Sequence, residues 1–152
     1  TIRELYVCDT CCLISYFDSI FEPLGAGIAL SVSARALLDD AIKNVHSNIR
    51  ISIPSVVFFE IYAKWLTTEE VTKMFYYQAY EKLLSCPNIE IKAIEKDVLL
   101  HLTSIGHELS DHEIFDKIVV ASALELDCPL MTTDTKIIEY QENQKRIIGI
   151  LN

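Results

Sequence analysis

The sequence predicts an α/β domain built on a parallel sheet, on three observations. Short β-rich runs alternate with longer runs of helical periodicity along the whole chain, the pattern of strands joined by helical crossovers. The β-rich runs are bounded by breakers or acids: Asp9, Pro54, Cys86-Pro87-Asn88 and Cys128-Pro129. The chain of 152 residues is one domain long and 51% hydrophobic, with only 4 Gly and 4 Pro, enough to bury a full core.

Five strands are expected, over 5–8, 51–53, 89–94, 130–132 and 146–151. Residues 10–18 form the first helix, starting on Thr10, whose hydroxyl can cap it. Over 30–45, Leu30, Ala34, Leu37, Leu38, Ala41 and Val45 recur at helical spacing. Pro54-Ser55 opens a helix to 65, because the N–H that Pro lacks is not needed in a first turn. Thr67-Thr68-Glu69-Glu70 caps another that runs to about Leu84. Helices over 95–109 and 115–126 complete the set; Ile118, Val119, Val120, Ala121, Ala123 and Leu124 make the last one central and buried. Residues 21–27, with Pro23, Gly25 and Gly27, form an irregular loop whose single GxG is too weak for a phosphate cradle. No repeat or linker interrupts 1–152, which is read as a single domain.

Composition narrows the function. Thirteen Lys+Arg against 22 Asp+Glu leave a net charge of −9, which excludes a protein that holds nucleic acid by phosphate neutralisation alone. No apolar run approaches the ~20 residues that cross a bilayer, and Thr1 to Tyr6 carry both charges instead of opening a signal peptide. The expectation is a cytoplasmic protein without membrane attachment. Cys8, Cys11, Cys12, Cys86 and Cys128 are an odd set in a chain with its own core, and are read as reduced. Cys8-x-x-Cys11 lacks the second half of a zinc site, so these cysteines are read as small buried hydrophobes.

The acids carry the chemistry. Asp9 ends the first strand, Asp134 follows the fourth, Glu60 interrupts the apolar run Val56-Val57-Phe58-Phe59-Glu60-Ile61-Tyr62, and Asp116 opens the buried helix. In a parallel sheet the carboxyl ends of the strands share one edge, so these acids are expected to converge. Carboxylates brought together need raised pKa values or cations between them. With no His or Cys in an obvious ligand position, hard ions such as Mg²⁺ or Mn²⁺ are expected over zinc.

At these residues the chain resembles the PIN domain, the small nuclease fold of VapBC-type toxins and RNA-processing nucleases. The resemblance spans nearly the whole chain. It rests on Val7-Cys8-Asp9-Thr10, Ile53-Pro54-Ser55-Val56-Val57 followed by Glu60, the run from Ile114 to Leu124, and Pro129-Leu130-Met131-Thr132-Thr133-Asp134. It implies a PIN-like three-layer sandwich, a central parallel sheet of about five strands flanked by helices. It also implies Asp9, Glu60, Asp116 and Asp134 as catalytic acids, with Asp9, Asp116 and Asp134 on Mg²⁺ or Mn²⁺ and RNA as substrate. Two departures stand out: Cys11 replaces the family's frequent Asn or Ser, and Asp-Pro-Phe-Asp-Arg becomes Glu113-Ile114-Phe115-Asp116-Lys117, which makes Glu113 an accessory acid.

The resemblance implies a metal-dependent endoribonuclease and, by small size, the toxin of a toxin–antitoxin pair. Thr10 and Thr133 are candidates to bond ligands or waters around the metal, with helix capping or strand-end filling as the other role for each. His101, His107 and His112 are read as solvated, His112 being the nearest to an acid, four residues before Asp116. Lys117 is a candidate phosphate contact; Lys145-Arg146 is the one basic doublet. Met74-Phe75-Tyr76-Tyr77-Gln78-Ala79-Tyr80, with Trp65 and Phe58-Phe59, is richer in aromatics than a core helix needs, and predicts a homodimer face or a groove for an antitoxin helix. The competing class is a catalytically silent PIN-like scaffold that binds RNA or protein; the costly acid cluster argues against it. A receiver domain would want an acid pair at the first strand, and a haloacid-type phosphatase a second Asp where Cys11 stands.

Overall fold

A computed structural model describes residues 3–24, 29–105, 109–144 and 149–150. In chain order it contains β1 (Glu4–Cys8), α1 (Thr10–Tyr16), α2 (Asp18–Phe21), α3 (Val32–Lys43), β2 (Ile49–Pro54), α4 (Ser55–Lys64), α5 (Glu69–Phe75), α6 (Glu81–Ser85), β3 (Ile89–Lys92), α7 (Lys96–Ile105), α8 (Ile114–Leu126), β4 (Leu130–Met131), α9 (Thr135–Gln144) and β5 (Gly149–Ile150). The strands form one parallel sheet in the order β3-β2-β1-β4-β5. The fold is the α/β sandwich expected, a parallel sheet flanked by helices.

Strand order reverses at β1. The chain steps from β1 outward to β2 and β3, then returns to lay β4 on the other side of β1. Right-handed crossovers therefore put the helices before β3 on one face and those after it on the other. Between β1 and β4 the two layers part above the strand ends, where open α/β sheets hold their ligands. Cys8 pairs with Met131, so Asp9 and Thr132 emerge side by side, and the Asp9 N–H donates to the Met131 carbonyl at 3.0 Å.

The strands supply the centre of the core. Val7, Cys8, Ile51, Ile53, Leu130 and Met131 are inaccessible to solvent, and Leu13, Leu38, Val57, Ile61 and Ile105 close over them from the helices. Each such side chain contributes about 1.5–3 kcal/mol on leaving water. α8 buries six successive residues, Val119 to Leu124, the all-round burial that its composition predicts.

Several boundaries differ from expectation for identifiable reasons. Asp9, not Thr10, caps α1: its carboxylate accepts the Thr10 N–H. Phe17 (φ −99°, ψ 41°) breaks the first helix after Tyr16 and α2 follows. Thr68 caps α5 through the Val71 N–H, and Tyr76–Tyr80 form a wide π turn between α5 and α6. α7 ends at Ile105. α9 was not expected, since Gln141, Glu142, Asn143 and Gln144 weaken its apolar periodicity; Asp134 starts it by accepting the Lys136 and Ile137 N–H groups. Of the loop over 21–27, residues 25–27 lie outside the described residues, as do His107, Lys145 and Arg146; of the fifth strand, Gly149–Ile150 is described. Among the described residues no helix is long and apolar enough to cross a membrane.

Asn88 ties β3 to the opposite layer. Its buried amide donates to the carbonyls of Ala41 (3.1 Å) and Asn44 (2.8 Å) at the end of α3. Replacing it strands two acceptors. Asn88→Ala is expected to lower stability by about 2 kcal/mol at unchanged m-value in urea denaturation; a loss within experimental error would show that the two bonds carry no net stability.

Candidate functional site

Asp9, Glu60, Asp116 and Asp134 line a single cleft of about 260 Å³ above the reversal point. Each arrives on a different element. Asp9 stands at the tip of β1, Glu60 on the inward face of α4, Asp116 in the first turn of α8, and Asp134 just beyond β4. Asp9 and Glu60 are buried, and Asp116 and Asp134 half-buried.

Asp9 is held from three directions. Its Oδ1 accepts the Thr10 N–H at 2.8 Å, and its Oδ2 accepts the Thr132 hydroxyl at 2.7 Å and the Cys11 thiol at 3.6 Å. Thr132 also accepts the Asp134 N–H at 3.1 Å, so one buried hydroxyl fixes the spacing of two acids. Burial first, then the neighbouring Cys11 and Glu60, push the Asp9 carboxyl well above the ordinary carboxylate range, against the downward pull of the Thr132 and Thr10 bonds. Asp116 is raised to about 6, by burial foremost and then by Asp9 and Glu60, with His112 pulling it down.

One cation offsets part of this charge. Lys64 reaches Glu60 at 3.0 Å and Glu113 at 2.7 Å, with its ammonium 5.8 Å from the centre of the Phe115 ring. Burial works against its charge, but the two carboxylates outweigh it and keep its pKa above the ordinary value. Lys64 thereby joins α4 to the start of α8, the two helices that carry Glu60 and Asp116. Glu113 is exposed, and its role in the structure is this bridge.

Other placements correct the sequence reading. His112, read as solvated, has a side chain only 7% exposed, and its Nε2 lies 2.9 Å from Asp134 Oδ2. His112, Asp116 and Asp134 each offer a ligand atom, all within 4.8 Å of one another. A histidine does therefore stand among the acids. The turn closed by the His112 N–H on the Leu109 carbonyl brings it there, and its position four residues before Asp116 was the available signal. Thr133 donates to Cys11 Sγ at 2.9 Å, and Thr132 has the bond to an acid. Lys64 and Lys136 are the lysines that line the cleft and its continuation; Lys117 lines neither.

The donor set fits a divalent cation. Four carboxylates line the cleft with one lysine, paired to Glu60 alone among them, and Asp9 and Asp116 are driven toward protonation. Thr10 lines the cleft, and its Oγ1 is buried without a hydrogen-bond partner among the described residues.

No protein-family model matches the chain, and no curated protein does. Solved structures do match. The VapBC2 complex of Rickettsia felis, bound to a DNA fragment from its promoter, is similar with a TM-score of 0.64 at 16% identity, over 97% of this chain and 98% of that one. FitAcB from Neisseria gonorrhoeae gives 0.61 at 15%, over 97% and 96%. VapBC-1 from nontypeable Haemophilus influenzae gives 0.59 at 12%, over 97% of each. At these identities the likeness is one of fold, consistent with the PIN-like sandwich expected.

The raised carboxyls set a pH dependence. With its folded pKa near 6 against an ordinary 3.8, Asp116 holds a proton in the folded state that the unfolded chain has released. Its contribution to stability therefore falls as pH rises from about 4 to about 6. In EDTA, Asp116→Asn is expected to melt about 3–6 °C above the wild type at pH 7, equivalent to about 1–2 kcal/mol, with the difference vanishing near pH 4. Calorimetric melting curves that stay parallel across this range would contradict the strain assigned to Asp116.

Proposed function

We propose that this protein is a metal-dependent endoribonuclease that hydrolyses RNA phosphodiester bonds, and that it is the toxin component of a toxin–antitoxin pair. The observation that carries the reading is the convergence of four carboxylates, from four separate elements, in one cleft at the point of strand reversal. The likeness in fold to the VapBC and FitAcB structures supports the toxin–antitoxin assignment.

In this reading Asp9, Asp116 and Asp134 hold Mg²⁺ or Mn²⁺. When bound, the ion supplies a water of lowered pKa and neutralises charge on the scissile phosphate. The residues do the rest. Thr132 and the Thr10 N–H keep Asp9 aimed into the cleft. Glu60, held in place by Lys64, orients the attacking water and takes its proton. Thr10 contributes its N–H to Asp9, and Thr133 steadies Cys11 behind Asp9. Lys64 and Lys136 are the positive charges available to a phosphate in the cleft and its continuation. With a net charge of −9, affinity for RNA comes from these few contacts and not from a basic surface.

The aromatic surface supplies the partner side. Phe58, Phe59, Tyr62, Phe75, Tyr76 and Tyr80 line an apolar groove of about 550 Å³, with Phe59 65% and Tyr62 69% exposed. Exposed aromatic clusters of this kind mark interfaces. The groove is assigned to the antitoxin, and a homodimer is the other use of the same surface, which a concentration-independent monomer mass in light scattering would remove.

The test is cleavage of a panel of structured and single-stranded RNAs in Mg²⁺, Mn²⁺ or EDTA. Wild-type protein is expected to cut with metal only, and Asp9→Asn and Asp116→Asn to cut at least ~100-fold more slowly. Equal residual cutting in all three would expose a contaminant, and no cutting with no metal binding would favour the silent scaffold.

A further inference from the structure

We propose that His112 is itself a ligand of the cleft's cation, together with Asp116 and Asp134, and that its nitrogen makes the site select a first-row transition ion over Mg²⁺. This rests on the reading of the cleft as a cation site and deepens it.

The spacing of His112 and Asp134 is that of adjacent ligands, with Asp116 beside them. Around an octahedral ion with bonds of about 2.1 Å, adjacent ligands stand about 3 Å apart and opposite ones about 4.2 Å. His112 Nε2 and Asp134 Oδ2 are 2.9 Å apart, and the ligand atoms of His112, Asp116 and Asp134 all lie within 4.8 Å of one another. Among the described residues the Asp116 carboxylate has no hydrogen-bond donor, so it is free to complete the set. The continuation of the cleft on this side, about 480 Å³ and lined by these three residues with Glu113, Thr133 and Lys136, has room for an ion with its waters.

The obvious alternative is that His112 only positions Asp134. That task is already done by other groups: Asp134 Oδ1 accepts the N–H groups of Lys136 (2.9 Å) and Ile137 (3.2 Å), and the Asp134 N–H is bonded to Thr132. The imidazole is therefore surplus to the orientation of the carboxylate. It is nonetheless 93% buried, from the 7% exposure of its side chain, and directed at the acids. Chemically, Mg²⁺ takes oxygen ligands, whereas an imidazole nitrogen favours Mn²⁺ and the later first-row ions.

The test is pulsed electron paramagnetic resonance of the wild-type protein loaded with Mn²⁺, beside calorimetric titration with Mn²⁺ and with Mg²⁺. A directly bonded ¹⁴N coupling is expected in the wild type, changing to ¹⁵N after labelling of histidine. It should be absent in His112→Gln, whose Mn²⁺ affinity should fall about 10–100-fold while Mg²⁺ affinity changes less than threefold. Bound Mn²⁺ without nitrogen coupling in the wild type would overturn the role of His112 and leave the cation site standing. No Mn²⁺ binding at all would overturn both. The wild-type spectrum decides the matter even if His112→Gln fails to fold.

Discussion

Four carboxylates held in one partly buried cleft repel one another, and much of the structure around the cleft serves to keep them there. The parallel sheet reverses its order at β1 and so opens a gap between the helical layers at the strand ends. Asp9 is fixed in that gap by a backbone N–H and by the Thr132 hydroxyl, and the same hydroxyl takes the Asp134 N–H. Lys64 clamps α4 to the start of α8 through Glu60 and Glu113. The electrostatic cost is visible in the raised carboxyls of Asp9 and Asp116, and the divalent cation of the proposed function would relieve it.

The apolar core makes such strain tolerable. Strands buried without exposure at Val7, Cys8, Leu130 and Met131 fix the backbone from which Asp9 and Asp134 project. A looser sheet edge would let them reach water separately. The aromatic groove along α4 and the π turn at Tyr76–Tyr80 shares no lining residue with the acid cleft.

Much of this was legible in the sequence because it depends on local patterns. Strand ends at Asp9 and Pro54, the apolar run within α8, and acids placed where strands finish are all readable one residue at a time. What escaped depends on three-dimensional closure. Thr132 has no role legible in the sequence, because only the register of β1 with β4 sets it beside Asp9. Lys64 follows Glu60 by one helical turn, a spacing that reads as an ordinary surface pair, yet it also bridges to Glu113 across 49 positions. His112 reaches Asp134 only because a turn at Leu109 folds its loop back. α9 was missed because a polar second half hides its period, and the π turn because no residue type encodes a widened helical turn.

The central claim is that the cleft exists to hold a divalent cation, and the melting response to Mn²⁺ tests it most directly. At pH 7.5 the wild type is expected to gain stability with Mn²⁺ as the logarithm of its concentration, about 2.7 kcal/mol at a hundred times Kd, and the Asp9→Asn, Asp116→Asn double variant to gain none. A wild-type melting temperature that Mn²⁺ leaves unchanged, or one that rises equally in the double variant, would contradict the account.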